Sequence, residues 1–210
     1  MWGSPDRSYD SEECAGPSLA PRTTHNLVSA RWQAKKVITI PAEPADASQL
    51  PPALQPFGAV PPPVTDIDLS VDDRWLYVSC WGTGELKQYD VSDPHNPRET
   101  ISVRLGGIVD RTPHPAAPEL RLAGAPQMVE ISRDGRRVYF TNSLYASWDD
   151  IFYPDGVGAW MARIDANPET GGMTVDPRFF PHGDDFRGLR VHQTRLQGGD
   201  ASSDSYCFVE

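Results

Sequence analysis

Histidines are the residues of this chain best suited to metal chemistry, and their neighbours differ. His192 stands in "RVHQTRLQGGD", where an imidazole could bind a transition metal, although a surface histidine fits the same segment. His114 lies in the proline-rich stretch "RTPHPAAPE", from which a loop could deliver a ligand. His95 in "SDPHNPRE" is typical of a solvated turn, and His182 in "FFPHGDDF" precedes two aspartates. No His-x-x-x-His spacing occurs, so the sequence lacks a self-contained metal motif.

A second group of polar residues stands near the end of the chain, in "GGDASSDSYC" at 198–207. Asp200 and Asp204 could accept a hydrogen bond from a histidine ring and orient it, or the segment is only a polar end. Cys207 could be a reactive thiol, although no basic residue beside it in sequence would favour the thiolate. Cys80 alternates with Val78 in a predicted strand and is expected to be a buried structural thiol.

Several function classes are disfavoured by composition and missing motifs. The formal net charge of -10 repels phosphate backbones, so nucleic-acid binding is not expected. There is neither a phosphate-binding GxxxxGK loop nor a Gly-x-Ser-x-Gly elbow. No run of eighteen apolar residues predicts a membrane span, and no signal peptide is recognisable. Three cysteines, an odd and sparse count, suit a reducing compartment, so we expect a cytoplasmic protein.

The elements that must position these residues begin after two irregular segments. Residues 1–30 lack periodicity and are expected to be a disordered or divergent extension. "KKVITI" at 35–40 predicts a short strand. Residues 41–64 are dense in proline, which predicts an extended surface loop, partly polyproline II, that covers something or is mobile.

From residue 64 the sequence predicts antiparallel strands, and the pattern repeats. Three alternating runs, at 65–69, 75–81 and 85–91, are separated by the turn sequences "SVDD" and "GTGE". Ser70-Val-Asp-Asp-Arg recurs 62 residues later as Ser132-Arg-Asp-Gly-Arg, and Tyr77-Val-Ser recurs as Tyr139-Phe-Thr. Such recurrence is typical of β-propeller blades, predicted here at about 64–105 and 122–177.

The predicted fold class is therefore all-β, an incomplete β-propeller of about two to three blades within residues 31–210. Two or three blades do not close a ring of four to eight. We therefore expect the chain to be part of a longer protein, to associate with copies of itself, or to be marginally stable.

Three long motifs resemble the later part of the selenium-binding protein or methanethiol oxidase family. They are "KKVITIPAEPADASQLPPALQPFGAVPPPVTDIDLSVDDRWLYVSCWGTGELKQYDVSDP", "GAPQMVEISRDGRRVYFTNSLYASWDDIFYPDG" and "HQTRLQGGDASSD", and they occur in the family's order. The resemblance covers roughly residues 31–208. The family's N-terminal half is missing, with its histidine motifs and its selenium-linked cysteine motif. Ala201 also stands where the family's closing motif has a cysteine.

The resemblance implies a copper-dependent oxidase that converts a small thiol, methanethiol, with oxygen and water to formaldehyde, hydrogen sulfide and hydrogen peroxide. It also places a histidine at His192, as a metal ligand or beside one. Covalently bound selenium is possible in the family, but the relevant cysteine motif is absent here. Two alternatives stay open: a non-catalytic module that binds a thiol, a selenium compound or a protein, and a fragment that keeps the likeness without the activity.

Overall fold

The computed structural model describes residues 35–196, and these form strands with little helix. The extension predicted at 1–30 and the predicted roles of Asp200, Asp204 and Cys207 lie outside the described residues. A two-stranded pair, β1 and β2, precedes two four-stranded antiparallel sheets, β3–β6 and β7–β10. The strands are β1 (Glu43–Pro44), β2 (Ala59–Val60), β3 (Val64–Leu69), β4 (Trp75–Cys80), β5 (Glu85–Asp90), β6 (Arg98–Arg104), β7 (Val129–Ile131), β8 (Arg137–Thr141), β9 (Met161–Ala166) and β10 (Met173–Val175). Helix α1 spans Ala146–Phe152, and short 3-10 turns span Gln55–Phe57 and Gly183–Phe186.

The first sheet confirms the predicted antiparallel meander and adds β6 as its fourth strand. Its first turn forms because the Ser70 hydroxyl donates to the Asp72 carboxylate over 2.6 Å and accepts the Trp75 N–H over 2.9 Å. The "SRDG" turn of the second sheet repeats this geometry, since the Ser132 hydroxyl donates to Asp134 over 2.6 Å. The sequence repeat is therefore a repeat of local structure.

The two sheets pack against each other through one apolar core. Strands β3 and β7 lie side by side, and β6 contacts β10. The buried side chains between the sheets come from both: Trp75, Tyr77, Leu86, Leu105, Leu122, Val129, Ile131, Val138, Phe140, Trp160, Ala162, Ile164 and Met173. The Trp75 indole N–H also donates to the Pro168 carbonyl over 2.7 Å, and the Gln88 side chain accepts the Gly172 N–H over 2.8 Å. These bonds fix the sheets relative to each other.

Two predictions about the start of the fold are corrected by the structure. Residues 35–40 form no strand; instead, Ile38 and Ile40 pack on the free face of the first sheet. The proline-rich stretch 41–64 is more ordered than a surface loop, because it contains the β1–β2 pair and buries Leu50 and Leu54. In both segments, burial of apolar side chains against the sheets determines the conformation, and neither the strand pattern of 35–40 nor the proline content of 41–64 reveals that burial.

Strand direction brings a distinct set of connections to one end of both sheets. The register pairs Val64 with Cys80 and Val129 with Phe140, so β3 and β7 begin where β4 and β8 end. We call this end the loop face; it carries the connections 81–84, 105–128 and 142–160 and the segment 176–196. The Ser70 and Ser132 turns lie at the opposite end. Within residues 35–196, α1 is too short to cross a membrane, and no other helix qualifies.

Candidate functional site

Trp81 anchors the loop face immediately after β4. Its ring is fully buried and meets Phe152 and Tyr153 edge-on, with centroids 5.6 and 5.3 Å away. Its indole N–H donates to the carbonyl of Asn142 over 3.2 Å. Leu50 and Leu54 of the proline-rich stretch belong to the same cluster. This second core holds the segment containing α1 against both sheets.

Asp149 of α1 is a carboxylate of the loop face that is fully buried and accepts hydrogen bonds from three groups. One oxygen accepts the Ser143 hydroxyl over 2.6 Å and the Arg190 guanidinium over 2.8 Å. The other oxygen accepts the Leu144 N–H over 3.1 Å. A buried charge needs such partners, so Asp149 fixes α1 to the end of β8 and to the segment around residue 190.

His192 lies on that segment, exposed at the rim of the loop face. Its backbone carbonyl accepts the Thr141 hydroxyl over 2.6 Å, and its ring lies 5.3 Å from the Tyr145 ring. Its Nδ1 is 3.2 Å from the Ser143 carbonyl oxygen. A carbonyl can only accept, so Nδ1 carries the proton and the Nε2 lone pair is left for another partner. An open groove of about 390 Å³, lined by residues between Asp185 and Gln193, adjoins the ring.

His114 has the opposite arrangement. Its ring is fully buried and stacks on Phe180 at 4.2 Å with the planes 1° apart. Nδ1 accepts the Ala116 N–H over 3.1 Å, so in the neutral ring Nε2 carries the proton. Burial lowers the pKa of His114, and Nε2 has no partner within the described residues. As placed, His114 offers an N–H donor and not a metal ligand.

The remaining histidines of the described chain are exposed. His182 stacks on the other side of Phe180 at 4.5 Å, and its Nδ1 contacts the Phe180 carbonyl oxygen over 2.8 Å. His95 lies in the turn after β5, at the end opposite the loop face. Its backbone N–H donates to the Asp93 carboxylate over 3.0 Å. The predicted solvated turn at His95 is therefore observed.

Three histidines within the described residues share one face, but they form no complete metal site there. His114, His182 and His192 all lie on the loop face, whereas residues 35–196 contain no group of three His, Cys, Asp or Glu able to hold a metal ion. Cys80 is fully buried, as predicted, and burial raises the pKa of its thiol to about 12. It is therefore a packing residue.

Carboxylates also line the seam between β3 and β7. Asp66 accepts the Val129 N–H over 2.7 Å, which satisfies the edge of β7. Asp68 is only 8 % exposed, and one of its oxygens accepts the Leu69 N–H over 2.9 Å. Burial first, then the charges of Glu130 and Asp66, raise the pKa of Asp68 to about 8. Asp68 is consequently a neutral acid near pH 7.

Sequence reasoning missed the residues that hold His192 in place. Ser143, Tyr145 and Asp149 lie close together in sequence, but Arg190 follows Asp149 by 41 positions, so the ion pair and the ring contact with His192 have no local pattern. The available signal was the insertion "SLYASWDDIFYPDG" between β8 and β9, whose aromatic residues anchor it on the loop face. The insertion indicates an added element, but it does not show that this element binds the segment that carries Arg190.

Comparison with known proteins identifies the family of the chain. The model of the 56 kDa selenium-binding protein family matches residues 12–207. Methanethiol oxidase of Xenopus tropicalis is 38 % identical over 193 residues, covering 83 % of this chain and 39 % of that protein. Human methanethiol oxidase is 37 % identical over 219 residues, covering 95 % of this chain and 45 % of that protein. Mouse selenium-binding protein 2 is 38 % identical over 192 residues, covering 82 % of this chain and 39 % of that protein.

Among solved structures, a hypothetical selenium-binding protein from Sulfolobus tokodaii is 57 % identical, with a TM-score of 0.77. That match covers 85 % of this chain and 38 % of the other. The chain thus spans 39 % to 45 % of the length of these curated relatives. By the extent of the family match and by the relatives, the chain belongs to the 56 kDa selenium-binding protein family.

Proposed function

We propose that the two four-stranded sheets are neighbouring blades of a β-propeller whose other blades lie outside this sequence. Their first strands, β3 and β7, lie side by side, and their last strands, β6 and β10, also meet. Each sheet is an antiparallel meander in chain order. Radially repeated meanders with adjacent first strands are the arrangement of propeller blades.

The activity we propose is oxidation of a small thiol, with methanethiol as the substrate suggested by the relatives' names. Methanethiol, oxygen and water would give formaldehyde, hydrogen sulfide and hydrogen peroxide. The thiol carbon loses two electrons and oxygen gains them, so the reaction balances without another reductant. Because the chain spans less than half of the relatives, the catalytic assembly includes residues beyond it.

His192 is the observation that supports this proposal within the chain. Its Nδ1–H is held by the Ser143 carbonyl, which leaves the Nε2 lone pair open at the loop face. The described residues could thus provide one imidazole to a copper ion and would need ligands from elsewhere. Bound copper would supply the one-electron chemistry between thiolate and oxygen. The chain's own contribution is to orient the imidazole and to cover one ring face with Tyr145.

The test is a methanethiol assay on the protein that carries this chain, with formaldehyde, sulfide and peroxide measured together. We expect equal amounts of the three products and a loss of turnover in His192→Ala. His95→Ala serves as the matched control, because His95 lies at the opposite end of the sheets. Thiol binding without peroxide would instead support a non-catalytic binding module, which the lack of a complete metal group in residues 35–196 also allows.

A further inference from the structure

Arg190 joins the segment that carries His192 to helix α1. Its Nη1 donates to the Asp149 carboxylate over 2.8 Å, and its Nη2 donates to the Asp150 carboxylate over 2.7 Å. Asp149 is fully buried, whereas the Asp150 side chain is 64 % exposed. A planar guanidinium engages two carboxylates with fixed direction, which an ammonium group does not. The fork therefore fixes the orientation of the segment as well as its position.

The same carboxylate is connected to the other side of the imidazole. Asp149 accepts the Ser143 hydroxyl over 2.6 Å, and the Ser143 carbonyl contacts Nδ1 of His192 over 3.2 Å. The Ser143 N–H also donates to the Val191 carbonyl over 3.2 Å. Asp149 thus reaches His192 by two routes: through hydrogen bonds to Ser143, and through its bond to Arg190 and the backbone between Arg190 and His192.

We propose that Arg190 and Asp149 are positioning residues that keep His192 in one tautomer, with Nε2 directed away from the protein. Without the Arg190 fork, the segment 189–193 loses two charge-assisted bonds to α1, and the ring can then shift relative to the Ser143 carbonyl that it contacts. The consequence for a metal rests on the function proposed above. The tautomer and the accessibility of the ring do not depend on that function.

Nitrogen NMR of the 210-residue chain, with the His192 signals assigned by their loss in His192→Ala, tests the proposal at neutral pH. The wild-type ring should show a protonated Nδ1 and an unprotonated Nε2. In Arg190→Gln both tautomers should appear, with the relative population of the minor tautomer rising by about tenfold, because a charge-assisted bond to a buried carboxylate is lost. Arg195→Gln is the matched control, since Arg195 is exposed and its guanidinium lies 3.4 Å from the Gln193 amide.

A milder variant protects the test against unfolding of Arg190→Gln. Asp150→Asn removes the exposed arm of the fork alone and should give a smaller increase in the population of the minor tautomer. An unchanged tautomer population in both variants would overturn the proposal, as would an equal increase of the minor tautomer in Arg195→Gln.

A copper(II) titration of the protein that carries this chain separates this inference from the proposed function. A changed tautomer in Arg190→Gln, in a protein that binds no copper, would uphold the positioning role and count against the oxidase. Copper binding with an unchanged tautomer in Arg190→Gln would do the reverse.

Discussion

The carboxyl group of Asp68 gives the sharpest test of the seam between β3 and β7. It is 8 % exposed, faces Asp66 and Glu130, and pairs in register with Tyr77 of β4. Its pKa is raised from 3.8 to about 8, chiefly by burial. The unfolded chain therefore loses this proton first, and the free energy of unfolding falls as pH rises from about 4 towards 8.

The size of the effect follows from the shift. Each pH unit between the two pKa values lowers the free energy of unfolding by about 1.4 kcal/mol, so moving from pH 5 to pH 8 costs up to about 4 kcal/mol. Asp68→Asn removes the titration and keeps an oxygen to accept the Leu69 N–H. We expect the free energy of unfolding of Asp68→Asn to exceed that of the wild type at pH 8 and to be close to it at pH 5.

Urea unfolding of both proteins at the two pH values measures this difference. Asp73→Asn is the control, because it makes the same substitution on an exposed residue of the adjacent turn. A stability difference between Asp68→Asn and the wild type that is the same at pH 5 and pH 8 would refute the claim that this buried acid is neutral in the folded state.

Three further outcomes test the core and the turns. Gly171→Ala should cost about 1–3 kcal/mol in urea unfolding, because φ is +75° and the new Cβ would lie 2.8 Å from the Trp75 ring; a neutral result would mean that the sheets are less closely packed. The Cys80 peptide should resist iodoacetamide at pH 8 in the folded chain and react in urea, because the thiol is buried with a pKa of about 12; rapid labelling of the folded chain would contradict that burial. Ser132→Ala should cost about 1 kcal/mol through the lost bond to Asp134, which helps to keep the pKa of that carboxyl low; an unchanged urea midpoint would show that the turn holds without this bond.

The sheets could be predicted from sequence because their signals are local. Alternation predicts that Trp75 and Tyr77 lie on one face of β4 and that Val78 and Cys80 lie on the other. In the structure both faces of β4 are buried, each in a different apolar cluster. The Ser-x-Asp turns are equally local, since the hydroxyl and the carboxylate belong to the same few residues. The strand predicted for "KKVITI" was wrong, because a strand needs a pairing partner, and the sequence of this segment does not specify one.

The candidate site was predictable only in part. His192 was found by residue type and family resemblance, but its tautomer depends on the Ser143 carbonyl, 49 positions away in sequence. Long-range bonds of this kind leave no periodic pattern in a single sequence.

The most direct test of the account is the copper content of the protein that carries this chain, compared between wild type, His192→Ala and His114→Ala. We expect His192→Ala to lower the bound copper and to remove an imidazole nitrogen from its electron paramagnetic resonance signal. His114→Ala should leave the coordination unchanged, because its Nε2 carries a proton and its Nδ1 is occupied. Unaltered copper in His192→Ala, or loss of an imidazole ligand in His114→Ala, would contradict it.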